Sequence, residues 1–593
     1  MKLILSGLVS VLAAMTSVVA ASKGSNTPPN VDILPFNYVE MSDGVTLHAT
    51  VLLPKSDGPF PAIIVSSPYA DSVAKPFMRP APILLENGYA VVVSDWRGSG
   101  CSGGVLEIGS DRFIQDGYDL VEWVAQQPWS TGAVGMGGAS ARGTGAIHYA
   151  KANPPSLKAI APQTFESDIY RDMTHRGGVP HYFDPIYWSL LGQPLSSQRV
   201  ARVKNKKCAE NRRQHTNSSA LRSFQMLAFH HDNENYATTS PANELDRIKV
   251  PTLVTQGVHD HYAPAMAPWH FQEIDAPLSI VLIAGGHSVS RIRDAKEELV
   301  AWFDHYLKGE DNGVNETPSV KAFFNTSADL KVGHKREYSV WPPEETTYKT
   351  LYLSQDGLLT PTKTGRSSAS YSASSTPPAP ISSGAPPIVR NDFSSTWANL
   401  PNAGLVYKTQ ALNEALELVG STRLTLNASV STVDTDFIAL LAEEDDAGNL
   451  TYIQHTTLRA SHRAVDDELT KEKGYIVRRH DKSVPLKPNK MYTFEIEFAP
   501  IVHRLEKGST LRLQLLPAWV PTAVLGWDII PVPYEGEVTV RHGGRSAPSS
   551  LSLPVVSEGL EAPMPPGCGE RYYQPCRSAS ERPSSALAPE EDL

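Results

Sequence analysis

The chain has 593 residues, of which 41% are apolar and 20% charged, and its formal net charge is −10. That length exceeds what one hydrophobic core serves and implies two or three domains. An acidic chain with a single basic cluster, within residues 199–213, is a poor nucleic-acid binder, and the cluster reads as a solvated helix face.

Residues 1–21 carry Lys2, an apolar run and then the small residues Val18, Val19, Ala20 and Ala21. That order is the pattern of a secretory signal peptide cleaved near Ala20 or Ala21. No later stretch is apolar enough to span a bilayer. Five sequons suit an exported chain: Asn217, Asn315, Asn325, Asn427 and Asn449. An oxidising compartment also permits disulfides among the four cysteines. Cys568 and Cys576 lie close together in a Pro/Gly-rich tail and are expected to pair, which leaves Cys101 and Cys208 as a second pair.

From residue 33 the chain alternates β-branched runs with amphipathic ones. Residues 61–67, 89–95, 132–138, 157–163, 250–257 and 278–286 read as strands, bounded by turn residues. Between them, residues 112–127 and 141–152 carry helical spacing, and residues 289–308 form a long amphipathic helix. Strands alternating with helices predict an α/β domain over 33–345, built on a parallel sheet with right-handed crossovers. Residues 168–245 lose the strand pattern and read as a helical cap inserted into that domain. Residues 363–390 are Ser/Pro-rich, a surface excursion. The alternating runs at 421–431, 435–444, 491–500 and 509–517 predict an all-β jelly-roll domain over 346–556. Residues 557–593 read as a loose tail.

The stretch Gly-Met-Gly-Gly-Ala-Ser-Ala-Arg-Gly at 135–143 runs from a strand straight into a helix. A serine there, Ser140, sits where a nucleophile elbow would hold it, with small residues at Gly138 and Gly143 letting the turn pack tightly. The helix N-terminus behind it favours developing negative charge. A serine needs a base and a group to orient that base. Asp260 and His287 each fall just past a later strand, in the chain order Ser–Asp–His that this fold uses. His259 and His261 flank Asp260, and residues 230–232 read His-His-Asp. Neither group has ligands spaced along a helix face, so no metal or cofactor is expected.

These motifs, together with those at 43–54, 66–72, 94–104, 121–143 and 433–441, resemble the cocaine esterase and X-prolyl dipeptidyl peptidase family of serine hydrolases over most of residues 33–545. The resemblance implies an α/β-hydrolase core, a helical cap and a C-terminal jelly roll. It also implies that the hydroxyl of Tyr69, in a Pro-Tyr motif, donates to the oxyanion beside the backbone N–H of Ala141. The chain departs from the family in two places. Ala141 stands where relatives carry an aromatic residue. His261, Tyr262 and Ala263 stand where relatives that cleave amino-acid esters carry carboxylates, leaving Asp172 and Glu166 as unplaced candidates for meeting an amine. The reading is a secreted serine hydrolase that cleaves a small ester, amide or short peptide through an acyl-enzyme. Its rivals are an Xaa-Pro dipeptidyl peptidase, an acyltransferase on the same triad, and a non-catalytic carbohydrate-binding protein.

Overall fold

The structure, a computed structural model, describes residues 30–77, 80–181, 193–215, 230–260, 266–316, 319–373, 403–516, 535–544, 548–571, 574 and 576–579. The expected signal peptide and the sequon at Asn217 lie outside them.

Ten strands make one sheet: β1 (Val31–Glu40), β2 (Thr46–Pro54), β3 (Phe60–Ser67), β4 (Ala90–Asp95), β5 (Ser130–Ala139), β6 (Leu157–Gln163), β7 (Thr252–Gly257), β8 (Leu278–Ile283), β9 (Val320–Phe324) and β10 (His334–Tyr338). Their spatial order is β1-β2-β4-β3-β5-β6-β7-β8-β9-β10. The run from β4 to β9 is parallel, while β1, β2 and β10 pair antiparallel at its edges. The sheet is therefore mixed rather than wholly parallel. Antiparallel strands need only tight turns, so hairpins extend the edges, whereas parallel neighbours need crossovers.

The inner strands are continuous hydrophobic runs because helices cover both faces. Every residue of β4 is buried. Helix α1 (Asp111–Ala125) starts at Ser110, whose hydroxyl accepts from the Phe113 amide at 3.2 Å, and it buries Phe113, Ile114, Leu120, Val121 and Val124. Helix α2 (Ala141–Ala150) leaves β5 directly. Helix α3 (Arg293–Lys308) packs Leu299, Trp302 and Phe303 on the opposite face and ends at Gly309, whose φ of 74° makes the left-handed cap.

The described residues of the cap region form helices Gln193–Val200, Lys206–Arg212 and Glu234–Thr239 and a two-strand hairpin at His175–Arg176 and Val179–Pro180. Cys208 in this cap is bonded to Cys101 of the core, and Cys568 is bonded to Cys576.

The described residues of the C-terminal half form a sandwich of a nine-stranded and a five-stranded sheet. Its core joins Leu424, Leu426, Phe494 and Val538 of one sheet with Phe437, Leu441, Leu513 and Leu515 of the other. Two expectations change here. The Ser/Pro-rich excursion does not begin at 363: Ser367–Ala373 is a strand paired with Gly536–His542, its serines alternating with inward Tyr371 and Ala373. Residues 374–402 lie outside the described part. The tail is also docked as far as Ala579, because Arg577–Ser578 pairs with Asn449–Leu450 and the Arg577 side chain is buried.

Two sequons are incompatible with the fold. Asn427 is 1% exposed, donates to the Pro548 carbonyl and accepts from Thr493, and Asn325 is 5% exposed. A glycan on either would have to occupy packed core, so the folded chain has no room for one at Asn427 or Asn325. Asn315 is exposed and Asn449 half-buried.

Glu417 links the two domains. Its buried carboxylate accepts from Arg504, from Arg336 and His334 of β10, and from Ser557. Burial alone would raise its pKa, but those hydrogen bonds outweigh it and hold the carboxyl far below its ordinary value.

Candidate active site

Tyr69, Ser140, Glu166, Asp260 and His287 all lie just past the C-terminal ends of β3, β5, β6, β7 and β8. The strand order turns between β3 and β5, where the crevice of an open α/β sheet forms.

Ser140 has φ 63° and ψ −136°, a costly conformation for a residue with a side chain. Its amide donates to the carbonyls of Gln163 (2.9 Å) and Thr164 (3.1 Å), and its carbonyl accepts from Gly143 at 2.7 Å. The turn therefore rests on the end of β6. Gly143 is required by contact: a Cβ there would stand 3.0 Å from the Gly138 carbonyl oxygen and 3.1 Å from the Gln163 backbone. Gly138 is required by its φ of 132°. Ala141 is the first residue of α2, so its N–H has no partner one turn back within the helix.

Asp260 is 5% exposed. Its Oδ2 accepts from His287 Nδ1 at 2.7 Å, and the two loops are tied by the His259 amide donating to the Gly285 carbonyl at 2.9 Å. His259 is a different kind of histidine. Burial, then the nearby His503 and Arg571, pushes its pKa down to about 3, and its ring meets Gln574 of the docked tail at 3.1 Å. His261, Tyr262 and Ala263 lie outside the described residues. At 230–232, His231 stacks on His462 and Asp232 pairs with Arg171 at 2.8 Å. Among the described residues no group of three or more His, Cys, Asp or Glu side chains is arranged to hold a metal.

Tyr69 follows β3, its amide 3.3 Å from the Ser67 hydroxyl and its carbonyl accepting from Arg199 of the cap at 2.8 Å. The Arg142 guanidinium lies over its ring, 5.0 Å from the centroid. Arg142 also pairs with buried Asp71 at 2.6 Å. The sequence gives no reason to single out Asp71 or Arg142. The only signal is an arginine two places after the serine, in a turn otherwise made of small residues.

The two unplaced carboxylates separate clearly. Asp172 is 2% exposed, and one of its oxygens accepts from the Ser167 and Asp168 amides and the Ser167 hydroxyl. It is a structural group. Glu166 is recessed yet still reaches solvent, and no side chain among the described residues pairs with it. Burial pushes its carboxyl up to about 7; the His287 imidazole opposes that rise, while Asp260 and Asp172 add to it. Between the hydrolase domain, the cap and the sandwich lies a cavity of about 140 Å³ whose walls include Asp260, Asp172, His270, Gln454 and Tyr475.

This is the architecture of an α/β-hydrolase of the serine hydrolase class. Residues 43–289 match the family described as X-Pro dipeptidyl-peptidase (S15 family), and residues 312–517 match the X-Pro dipeptidyl-peptidase C-terminal non-catalytic domain. The chain is 27% identical over 460 residues to the cocaine esterase of Rhodococcus sp. (strain MB1 Bresler), which spans 68% of this chain and 79% of that protein. It is 23% identical over 495 residues to a putative Xaa-Pro dipeptidyl-peptidase of Streptomyces avermitilis, spanning 73% of this chain and 68% of the other. A CocE/NonD family hydrolase from Staphylococcus aureus shares the fold with a TM-score of 0.72 at 21% identity, over 89% of this chain and 97% of its own. An α-amino acid ester hydrolase does so with a TM-score of 0.66 at 19% identity, over 91% of this chain and 100% of its own. The chain belongs to the cocaine esterase and X-Pro dipeptidyl-peptidase family of serine hydrolases.

Proposed function

We propose that this protein hydrolyses a carboxylic ester through an acyl-enzyme formed on Ser140. His287 takes the proton from the Ser140 hydroxyl as the oxygen attacks the carbonyl carbon. Asp260, buried and bonded to Nδ1, holds the ring in the required tautomer and stabilises the imidazolium. The Tyr69 hydroxyl and the Ala141 N–H meet the negative charge that develops on the carbonyl oxygen. The tetrahedral intermediate collapses, the leaving alkoxide takes the proton from His287, and water then repeats the sequence to release the acid. The observation that carries this reading is the 2.7 Å His287–Asp260 bond on the same sheet edge as a serine at φ 63°.

A second reading, an Xaa-Pro dipeptidyl peptidase, is favoured by one observation. Glu166, with no pairing side chain among the described residues, follows the strand between those that carry the serine and the His–Asp pair, where a substrate ammonium would find a carboxylate. Kinetics on a short-chain p-nitrophenyl ester and an Xaa-Pro p-nitroanilide, for wild type beside Ser140→Ala, separate the two. Ester turnover alone, abolished in Ser140→Ala, supports the esterase. Efficient anilide turnover supports the peptidase. Ester turnover that survives Ser140→Ala removes the site assignment.

Export is part of the same proposal. The signal-like N-terminus and two disulfides support it, and no helix among the described residues is long and apolar enough to cross a membrane.

A further inference from the structure

Asp71 follows Tyr69 by two residues, and Arg142 follows Ser140 by two. The two charged side chains meet. Arg142 Nη2 and Nε donate to the same oxygen of Asp71, at 2.6 and 3.1 Å, and the Ser67 hydroxyl donates to that oxygen at 2.6 Å. Asp71 is 1% exposed and Arg142 9%. The third guanidinium nitrogen, Nη1, reaches the carbonyl of Ala139, the residue before the serine, at 3.3 Å. The guanidinium carbon lies over the Tyr69 ring, 5.0 Å from its centroid.

One arginine therefore contacts the loop that carries Tyr69, the ring of Tyr69 itself, and the turn that carries Ser140. We propose that Arg142 and Asp71 are positioning residues, a buried clamp that holds the Tyr69 hydroxyl in line with the carbonyl oxygen of a substrate attacked by Ser140. The inference rests on Tyr69 being an oxyanion donor.

Two physical points favour position over stability as the clamp's role. A buried ion pair gains little net stability, because desolvation offsets most of the Coulomb attraction, and apolar side chains of equal volume often do as well. Its geometry, by contrast, is strict: a planar fork accepts few arrangements and is held on one side by a carboxylate and on the other by a ring. The loop it holds needs restraint. Ala70, beside Tyr69, sits at φ 59°, a conformation that loops retain only where their surroundings fix it. An oxyanion donor displaced by a fraction of an ångström loses much of its effect, since the gain depends on being aimed before the charge appears.

The test is a double-mutant cycle on ester hydrolysis, with thermal unfolding as the control for folding. Tyr69→Phe is expected to lower kcat about a hundredfold. Arg142→Met is expected to lower kcat at least about tenfold with KM changed less than about threefold, because the interaction matters in the transition state. In the Tyr69→Phe background the same change is expected to cost less than about threefold more, because there is no hydroxyl left to aim. Arg142→Lys, which keeps the charge and reach to Asp71 without the planar face, is expected to fall between wild type and Arg142→Met. If Arg142→Met does not fold, Asp71→Asn and Arg142→Lys are carried through the same cycle. Equal fold-losses from the Arg142 change with and without the Tyr69 hydroxyl would overturn the clamp, as would an unchanged kcat. An unchanged kcat in Tyr69→Phe would instead remove the oxyanion role of Tyr69.

Discussion

Nδ1 of His287 donates to Oδ2 of Asp260 across 2.7 Å, although the residues are 27 positions apart and end neighbouring strands. The carboxylate side chain is fully buried and the imidazole 15% exposed. One end of the pair is thus sealed and the other open to the crevice.

The first prediction concerns that pair. Asp260→Asn keeps the shape but favours the wrong imidazole tautomer, so kcat is expected to fall about 10³- to 10⁴-fold with the fold unchanged. Steady-state ester kinetics and circular dichroism check it. A loss under tenfold would take Asp260 out of the triad.

Glu166 gives a pH-dependent prediction. Its folded-state pKa is raised to about 7 from the ordinary 4.5, so between those values the folded chain holds a proton that the unfolded chain has released. Stability is expected to fall as pH rises through that window, and the penalty is complete above it. Because the residue is only half-buried, Glu166→Gln is expected to gain only about 1–2 kcal/mol at pH 8 and nothing at pH 4. Chemical denaturation at both pH values measures the difference.

Glu417 behaves in the opposite sense. Its pKa is depressed, so its contribution is present above the ordinary value of 4.5 and is lost as pH falls below it. Glu417→Gln leaves Arg504 and Arg336 short of a buried anion and is expected to destabilise by about 3 kcal/mol at pH 7. The gap between variant and wild type is expected to narrow on acidification. A constant gap from pH 7 to pH 3 would show that the charge is not what binds the two domains here.

The Cys101–Cys208 bond closes a loop of 107 residues and ties the cap to the core. Cys208→Ser is expected to lower stability by up to about 4 kcal/mol. It is also expected to reduce ester turnover, because Arg199 of the same cap segment donates to the Tyr69 carbonyl. Melting curves and kinetics on the variant test both parts. A stable variant with full activity would show that the cap is held without the bond.

The strand-to-helix turn at Ser140, the chain order of Ser140, Asp260 and His287, and the change from α/β to all-β texture are legible along the chain because each is local. Ser140 announces itself by glycines within three residues, and Asp260 and His287 by the ends of hydrophobic runs. The antiparallel edges were not legible, because strand direction depends on how a connection folds back. Nor was the docked tail, since Arg577 is buried where its strand pairs with Asn449 and Leu450, residues more than a hundred positions away. Sequons show the same limit: Asn427 has the right neighbours in sequence and the wrong ones in space.

The sequence by itself determined an α/β-hydrolase domain with a serine at a strand-to-helix turn, followed by an all-β domain, because hydrophobic period and turn residues act within a few positions. The tertiary structure decided how the two carboxylates are held. Asp172 is absorbed by its own loop's amides, while no side chain among the described residues pairs with Glu166. It also decided that Asp71 meets Arg142 beneath Tyr69, across 71 positions of chain. Such meetings depend on register and packing between strands β3 and β5, and no local pattern of residues encodes them.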